Sequence, residues 1–265
     1  MRFAVLITCF NRVEKTLNCL RHLYAARLMY DCKFDVWLND DGCTDGTSEK
    51  VSKDFSAVNI IKGSGHDYWC GGMRRAWKAA SECFDYDGYL WLNDDTVLRD
   101  DAFEIILTQR CKEDILVGAV CDGNGKATYG GETEKGFVVP DGTWQKLRQM
   151  NGNIVWVPKA VFKKLGNFDI HWTHAYGDGD YSRTASEKGI GVYLTPAFVG
   201  TCDKNEHVVD WRNPSMPLIK RLKSLYSPLG YAEPAKMFRY CLKHDGLLHA
   251  IKLVLSNHIT ALWPR

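Results

Sequence analysis

The chain has 265 residues, of which 45% are hydrophobic and 25% are charged, and its formal net charge is +2. These values are typical of one large soluble domain, or of one domain with an appendage. With this small charge, no basic run and no RNA- or DNA-binding signature, the sequence predicts no nucleic-acid partner. No run of about 18 apolar residues occurs, so no transmembrane helix is predicted.

Ten cysteines are spread along the chain, and no two of them form a CxxC pair, which argues against a zinc site. The apolar run at residues 3–7 is too short to be the core of a secretory signal peptide. We therefore expect reduced, mostly buried thiols in a cytoplasmic protein.

Short apolar runs alternate with amphipathic segments through the first hundred residues. The predicted strands are residues 3–7, 34–38, 58–61 and 89–92, and the predicted helices are 13–24, 48–55 and 70–83. This alternation predicts a parallel sheet with right-handed crossovers. Each strand is followed by a polar or glycine-rich loop, and these loops should meet at one edge of the sheet.

The second half is less regular. Strands are predicted at 115–120, 153–157 and 191–195, and helices at 101–110, 159–165, 176–188, 235–244 and 247–262. Residues 121–150 are rich in glycine and are expected to form a lid or binding loop. We expect a catalytic domain over 1–210, divided into a nucleotide-binding half (1–100) and an acceptor half (101–210), followed by a helical extension over 211–265.

Two adjacent carboxylates, Asp94 and Asp95, follow the apolar run Tyr89–Leu92 and the residue Asn93. Carboxylates this close repel each other unless a cation or a ligand lies between them. The carboxyl ends of strands are also where open α/β sheets bind ligands. The alternative is a purely structural role in which Asp95 caps the following helix.

The segment Asp40–Thr47 resembles the DDGSTDGT signature of the family 2 inverting glycosyltransferases, with Cys43 in place of serine. Trp91–Asp95 resembles the LNDD version of the family's DxD motif. These enzymes have the GT-A fold and use nucleotide sugars.

Two later segments strengthen the resemblance. Residues 151–169 resemble the family's stretch that ends in GxFD. Residues 177–183, followed by Gly189, resemble its ED-x-D block, with Gly177 in place of the usual glutamate. The resemblance spans residues 3–200 and implies an α/β, Rossmann-like, mostly parallel sheet flanked by helices, here with a C-terminal helical extension.

The first loops are implied to hold the nucleotide. The resemblance places Thr8 and Asn11 against it and one of Asp40 and Asp41 on the edge of the base, although an Asp-Gly sequence is also a common turn. Arg74 is a candidate for the base or the diphosphate, with a solvated helix face as the alternative.

The resemblance implies a divalent cation, Mn²⁺ or Mg²⁺, because carboxylates cannot face a diphosphate directly. Asp95 would bind the ion and Asp94 would lean toward the ribose or share the metal site. The ion would act as a Lewis acid on the leaving diphosphate. His207 is a further candidate ligand.

An inverting transfer needs a base that deprotonates the acceptor hydroxyl. Alignment through the following arginine and glycine places Asp178 at the family's base position. Asp180 is the alternative base, and either aspartate could instead cap a helix. Asn151, Trp172 and His174 are candidates for contacts with the donor or acceptor sugar.

The expected activity is transfer of a sugar from a nucleotide-diphosphate sugar to a glycan or lipid-linked glycan acceptor, in surface or capsular polysaccharide synthesis. A sugar-nucleotide nucleotidyltransferase is the alternative enzyme, although the expected glycine-rich basic loop is absent after the first strand. A nucleotide-sugar or glycan binder without catalysis is the alternative outside enzymes.

The C-terminal segment is basic and carries an apolar stripe that includes Leu247, Ile251, Val254 and Leu255. Such a helix can lie on the inner face of an anionic membrane. Packing as a helical hairpin on the catalytic domain, or as a homodimer contact, is the other interpretation.

Overall fold

The computed structural model describes residues 1–30, 32–204 and 210–264. The strands are β1 (Arg2–Cys9), β2 (Lys33–Asp40), β3 (Asn59–Lys62), β4 (Gly88–Leu92), β5 (Val97–Leu98), β6 (Ile115–Cys121), β7 (Ala127–Tyr129), β8 (Gly131–Thr133), β9 (Gly136–Phe137), β10 (Gln145–Lys146), β11 (Gln149–Met150), β12 (Ile154–Pro158) and β13 (Val192–Thr201). The α-helices are α1 (Val13–Met29), α2 (Thr47–Asp54), α3 (Tyr68–Cys83), α4 (Ala102–Ile106), α5 (Lys159–Leu165), α6 (Gly177–Glu187), α7 (Leu218–Leu225), α8 (Pro234–His244) and α9 (Leu247–Leu262).

A mixed sheet of ten strands, counted over the described residues, forms the centre of the protein. Its main path runs in the order β10-β13-β6-β12-β4-β1-β2-β3. The neighbours β4, β1, β2 and β3 are parallel, as the sequence predicts. The fold is the mostly parallel, helix-flanked α/β sheet expected from the sequence.

Strand β12 departs from the parallel pattern, since it lies antiparallel between β4 and β6. The chain between β6 and β12 contains only short strands, β7 to β11, and no helix in this fully described stretch. A parallel return needs a crossover, usually a helix, so β12 enters the sheet in the opposite direction. Residues 121–150 are therefore partly strand, and β11, β8 and β9 form a small second sheet.

The predicted helix at 101–110 is shorter in the structure. Helix α4 ends at Ile106, and a 3-10 helix covers Gln109–Lys112. A separate aromatic cluster joins the sheet to its helices. Trp77 and Trp91 lie edge to face with ring centroids 5.3 Å apart, and Phe168 lies 4.4 Å from Trp91. This cluster fixes α3 and the segment before α6 against β4.

The C-terminal helices pack on the rest of the protein through α8. Tyr240 of α8 is buried, and its ring lies 4.8 Å from that of Tyr176, just before α6. Arg183 of α6 donates two hydrogen bonds, of 3.1 and 2.7 Å, to the carboxylate of Asp245. No helix in the described part of the chain is long and apolar enough to cross a membrane.

Candidate active site

The register of the parallel strands brings the predicted nucleotide residues to one edge. Thr8 of β1 lies opposite Asn39 of β2, and Cys9 lies opposite Asp40. On the other side of β1, Leu6 pairs with Trp91 of β4. The loops after β1, β2 and β4 therefore leave the sheet side by side.

The two aspartates at the end of β2, Asp40 within the strand and Asp41 directly after it, are buried and hold the loops in place. Asp41 accepts backbone N–H bonds from Gly65, Asp67 and Tyr68, at 2.8 to 3.0 Å. Asp40 accepts the N–H of Cys43 at 2.7 Å and the hydroxyl of Ser48. Burial alone would raise the pKa of Asp40, but these hydrogen bonds lower it. Both carboxylates thus organise the loops that would surround a base.

Thr8 and Asn11 lie beside this loop. The Oγ1 atom of Thr8 accepts a 3.2 Å hydrogen bond from the side chain of Asn39. Asn11 has a left-handed backbone, with φ of 50°, and its Oδ1 accepts the N–H of Thr44 at 2.7 Å. A Cβ at Gly72 would lie 2.1 Å from Oγ1 of Thr8, so glycine there lets α3 approach β1.

Asp94 and Asp95 share one arginine. The Nη1 atom of Arg12 lies 3.2 Å from Oδ1 of Asp94 and 2.9 Å from Oδ2 of Asp95. Burial raises the pKa of Asp94 to about 7, against the opposing effect of Arg12. Arg12 was not predicted as a site residue, because in the sequence it is an ordinary polar residue just before α1.

The donor set at this turn suits a hard divalent cation. Two carboxyl groups face a single guanidinium, and carboxylate oxygens are the ligands that Mn²⁺ and Mg²⁺ prefer. Arg12 has a long side chain that is 41% exposed, so it can move aside for an ion. His207, the other predicted ligand, lies outside the described residues.

Of the remaining predicted contact residues, Trp172 and His174 lie in the segment before α6, and Arg74 contacts that segment from α3. Arg74 donates hydrogen bonds to the carbonyl oxygens of Asp169 and Trp172, at 3.2 and 2.8 Å, and so holds this segment. Trp172 itself is buried. His174 is half-buried and lies edge to face with Tyr68. Arg74 and Trp172 thus have structural contacts of their own.

Asp178 is half-buried at the start of α6. Its Oδ2 accepts the N–H of Gly152, and its Oδ1 accepts the N–H of Gly179, both at 2.8 Å. Burial raises the pKa of Asp178. The predicted sugar contact Asn151 lies next to Gly152, and its Oδ1 accepts the N–H of Asn153 at 3.1 Å.

Asp180 differs from Asp178 because its carboxylate is paired. Its Oδ1 lies 2.6 Å from Nζ of Lys243 and 2.8 Å from Nε2 of His244, both on α8. Burial alone would raise the pKa of Asp180, but the hydrogen bonds from His244 and Lys243 lower it. Two carboxyl groups two residues apart thus have pKa values shifted in opposite directions.

A tryptophan that the sequence did not indicate connects the two acidic motifs. Trp69, on the first turn of α3, donates a 2.7 Å hydrogen bond from Nε1 to Oδ1 of Asn93. The same ring packs on Gly152, where an added Cβ would lie 2.4 Å from it. Gly152 in turn donates to Asp178, so one indole ring separates the LNDD turn from the candidate base.

A second aromatic residue reaches this region from the C-terminal segment. Tyr231 is 63% exposed, and its carbonyl oxygen accepts a hydrogen bond from the hydroxyl of Tyr176. Its own pKa is raised, with the negative charge of Asp178 as the largest cause. Tyr231 is thus an exposed aromatic side chain whose ring lies 5.8 Å from that of Tyr176, just before α6.

Two solved structures with nucleotide-sugar ligands share this fold. TarS 1-349 of S. aureus in complex with UDP-GlcNAc has a TM-score of 0.61 at 14% identity, covering 98% of this chain and 90% of TarS 1-349. The mannosyltransferase PcManGT of Pyrobaculum calidifontis in complex with GDP-Man and Mn2+ has a TM-score of 0.57 at 15% identity, covering 97% of this chain and 73% of PcManGT. These likenesses confirm the GT-A fold.

Among curated proteins, none matches this sequence. The family comparison is positive, since the Glycosyl transferase family 2 profile matches residues 4–173. That range contains the Asp40–Thr47 loop, the Asn93–Asp95 turn and the GxFD segment. The chain therefore belongs to glycosyl transferase family 2.

Proposed function

We propose that this protein is an inverting, metal-dependent glycosyltransferase that moves a sugar from a nucleotide-diphosphate sugar to a hydroxyl group of a glycan acceptor. The observation that carries the proposal is the position of Asp178. Its carboxyl group has a raised pKa and is linked through Gly152 and Trp69 to the Asn93–Asp95 turn. A base beside a donor site is what an inverting transfer requires.

In the proposed reaction, the acceptor oxygen forms a bond to the anomeric carbon from the face opposite the diphosphate. The bond between that carbon and the diphosphate oxygen breaks, and the nucleoside diphosphate leaves. Asp178 takes the proton of the acceptor hydroxyl. Its oxygens each accept one backbone N–H bond, and since a carboxylate has about four acceptor positions, both can accept another.

Asp180 is a weaker candidate for the base. Its paired carboxylate has a lowered pKa, which makes it a poorer proton acceptor than Asp178. We therefore assign the base to Asp178 and a positioning role to Asp180.

Asp95, with Asp94 beside it, would hold Mn²⁺ or Mg²⁺. The bound ion would supply Lewis-acid stabilisation of the leaving diphosphate. The GDP-Man and Mn2+ complex of PcManGT supports this choice of donor and ion. Thr8, Asn11 and the Asp40–Thr47 loop would surround the nucleotide.

The acceptor would lie on the Asp178 side, where Tyr231 is exposed. Aromatic faces are common platforms for sugar rings, and Asn151 and His174 lie in neighbouring segments. We propose a growing surface or capsular glycan, free or on a lipid carrier, as the acceptor.

The proposal is tested with the full chain and a panel of nucleotide sugars that includes UDP-GlcNAc and GDP-mannose, with and without Mn²⁺. A true donor should raise the unfolding temperature only with the ion. With an acceptor, it should release nucleoside diphosphate and give a product of inverted anomeric configuration by NMR. Retained configuration contradicts the mechanism. Donor binding without turnover supports a binding protein, and pyrophosphate release from a nucleoside triphosphate and a sugar 1-phosphate supports a nucleotidyltransferase.

A further inference from the structure

Helix α9 has five large apolar side chains in line on the side that faces away from the protein. The residues that it buries fully are small or polar, namely Ala250, Asn257 and Ala261, and the half-buried Leu253 and Val254 pack beside them. The five exposed apolar residues form an outer stripe, which consists of Leu248, Ile251, Leu255, Ile259 and Leu262. An amphipathic helix on a soluble domain normally keeps polar residues on its outer face.

The outer stripe is continuous along the helix. Its members are three or four residues apart, which places them on one face over a helix about 24 Å long. Leu248 is 85% exposed, Leu255 56% and Ile259 58%. A stripe of this kind marks a surface that contacts another apolar phase.

The orientation of α9 is fixed by contacts on its inner face. The side chain of Asn257 donates a 3.2 Å hydrogen bond to the sulfur of Met237 on α8. The hydroxyl of Tyr226 lies 2.9 Å from Nε2 of His258. These contacts hold the helix with the outer stripe toward solvent.

The charges around the outer stripe are positive. Residues 247–262 contain no Asp or Glu, and Lys252 is exposed among the stripe residues. Trp263, at the end of α9, is 71% exposed and is the residue type enriched at membrane–water interfaces.

We propose that the outer stripe of α9 binds the surface of an anionic membrane. The apolar side chains would enter the boundary between head groups and acyl chains, and the side chain of Lys252 would contact lipid phosphates. A second copy of the chain is the less favourable occupant, because a symmetric interface on this face would bring together the Lys252 side chains of both copies. The proposal does not depend on the transfer chemistry.

The test is co-sedimentation of the full chain with vesicles, without any donor. We expect binding to vesicles that contain phosphatidylglycerol, weakening as salt is added, and little binding to pure phosphatidylcholine. Leu255→Glu should reduce binding at least about tenfold more than Ser256→Glu, because only the former places a charge within the stripe. Lys252→Ala should reduce binding about fivefold.

The matched pair adds the same charge to neighbouring exposed positions of one helix. Circular dichroism checks folding, and Leu248→Glu serves as a second stripe variant if Leu255→Glu unfolds. Equal binding of Leu255→Glu and Ser256→Glu would overturn the proposal, as would absence of binding to anionic vesicles. A wild-type dimer in light scattering that becomes monomeric with Leu255→Glu, with no vesicle binding, would assign the stripe to a second copy.

Discussion

The indole of Trp69 donates a 2.7 Å hydrogen bond to the side chain of Asn93, which fixes the LNDD turn to the first turn of α3. The Cζ2–Cη2 edge of that ring lies against Gly152. Because Gly152 donates to Asp178, this one side chain contacts both the proposed metal turn and the segment that binds the proposed base, in addition to the backbone hydrogen bond from Asn93 to Asn153.

The first prediction concerns Gly152→Ala. The new Cβ would lie 2.4 Å from the Trp69 ring, so the ring or the Gly152 backbone has to shift. We expect kcat/KM for transfer to fall by about 10- to 100-fold through misplacement of the base, with a destabilisation of about 1–3 kcal/mol. The matched control is Gly123→Ala, where no atom lies within 4 Å. Equal rates in the two variants would show that the packing on Trp69 does not position the base.

The second prediction tests Asp178 as the base. Asp178→Asn keeps the size of the side chain and removes the proton acceptor, so transfer should fall about 10²- to 10⁴-fold. Donor affinity measured by calorimetry should stay close to that of the wild type. Near-normal turnover in this variant would move the base elsewhere.

The third prediction is a pH profile. Burial raises the pKa of Asp178, so the carboxyl group keeps its proton at a higher pH than an ordinary aspartic acid, whose pKa is about 3.9. Since only the deprotonated form accepts a proton, kcat/KM should fall about tenfold for each pH unit below the raised pKa. Donor affinity over the same range is the control. A profile whose acidic limb lies at the ordinary aspartate pKa would contradict the assignment.

The raised pKa of Asp178 also affects stability: activity should rise as Asp178 loses its proton, whereas the stability of the folded state should fall. Between the unfolded and folded pKa values, the folded state binds more protons at Asp178 than the unfolded state does. This residue therefore lowers the free energy of unfolding as the pH rises through that window. This loss of stability is consistent with an active site that keeps its base away from water.

The sheet edge that carries the predicted nucleotide residues could be predicted from the sequence, because each of its segments lies at the end of a strand. Asp40 and Asp94 reach the same edge once the strands are parallel, and no contact distant in sequence has to be known. The partners of Asp180 could not be predicted in this way, since His244 is 64 residues away and lies on a helix whose docking depends on tertiary packing. The role of Trp69 likewise could not be predicted, because in the sequence it is one of several apolar residues at the start of α3.

The fourth prediction tests Arg12 as a competitor of the metal. In Arg12→Gln, Asp94 and Asp95 lose the cation that lies between them, so the protein should unfold at a lower temperature without Mn²⁺. The rise in unfolding temperature on adding Mn²⁺ should be larger than in the wild type, because the ion no longer displaces an arginine. The matched control is Arg2→Gln, which removes a pair with Asp35 at the other end of β1. An unchanged response to Mn²⁺ in Arg12→Gln would argue against a metal at Asp95.

The fifth prediction concerns the attachment of α8 to the acidic block. In Asp180→Asn, Lys243 and His244 lose their common carboxylate partner, whose side chain is only 7% exposed. Breaking a buried ion pair on one side costs about 3–5 kcal/mol, although the 37% exposure of Lys243 places the expected loss nearer to the lower value. The pKa of Asp180 is lowered in the folded protein, so its contribution is present above the unfolded pKa and is lost as the pH falls through the folded pKa. The difference between wild type and variant in urea unfolding should therefore shrink in acid.

Glu187→Gln is the matched control for this variant. Glu187 faces the other nitrogen of the same histidine at 2.8 Å, but its side chain is 52% exposed. Its substitution should therefore cost less than about 1 kcal/mol. Equal losses in the two variants would show that α8 is held by apolar packing around Tyr240 rather than by Asp180.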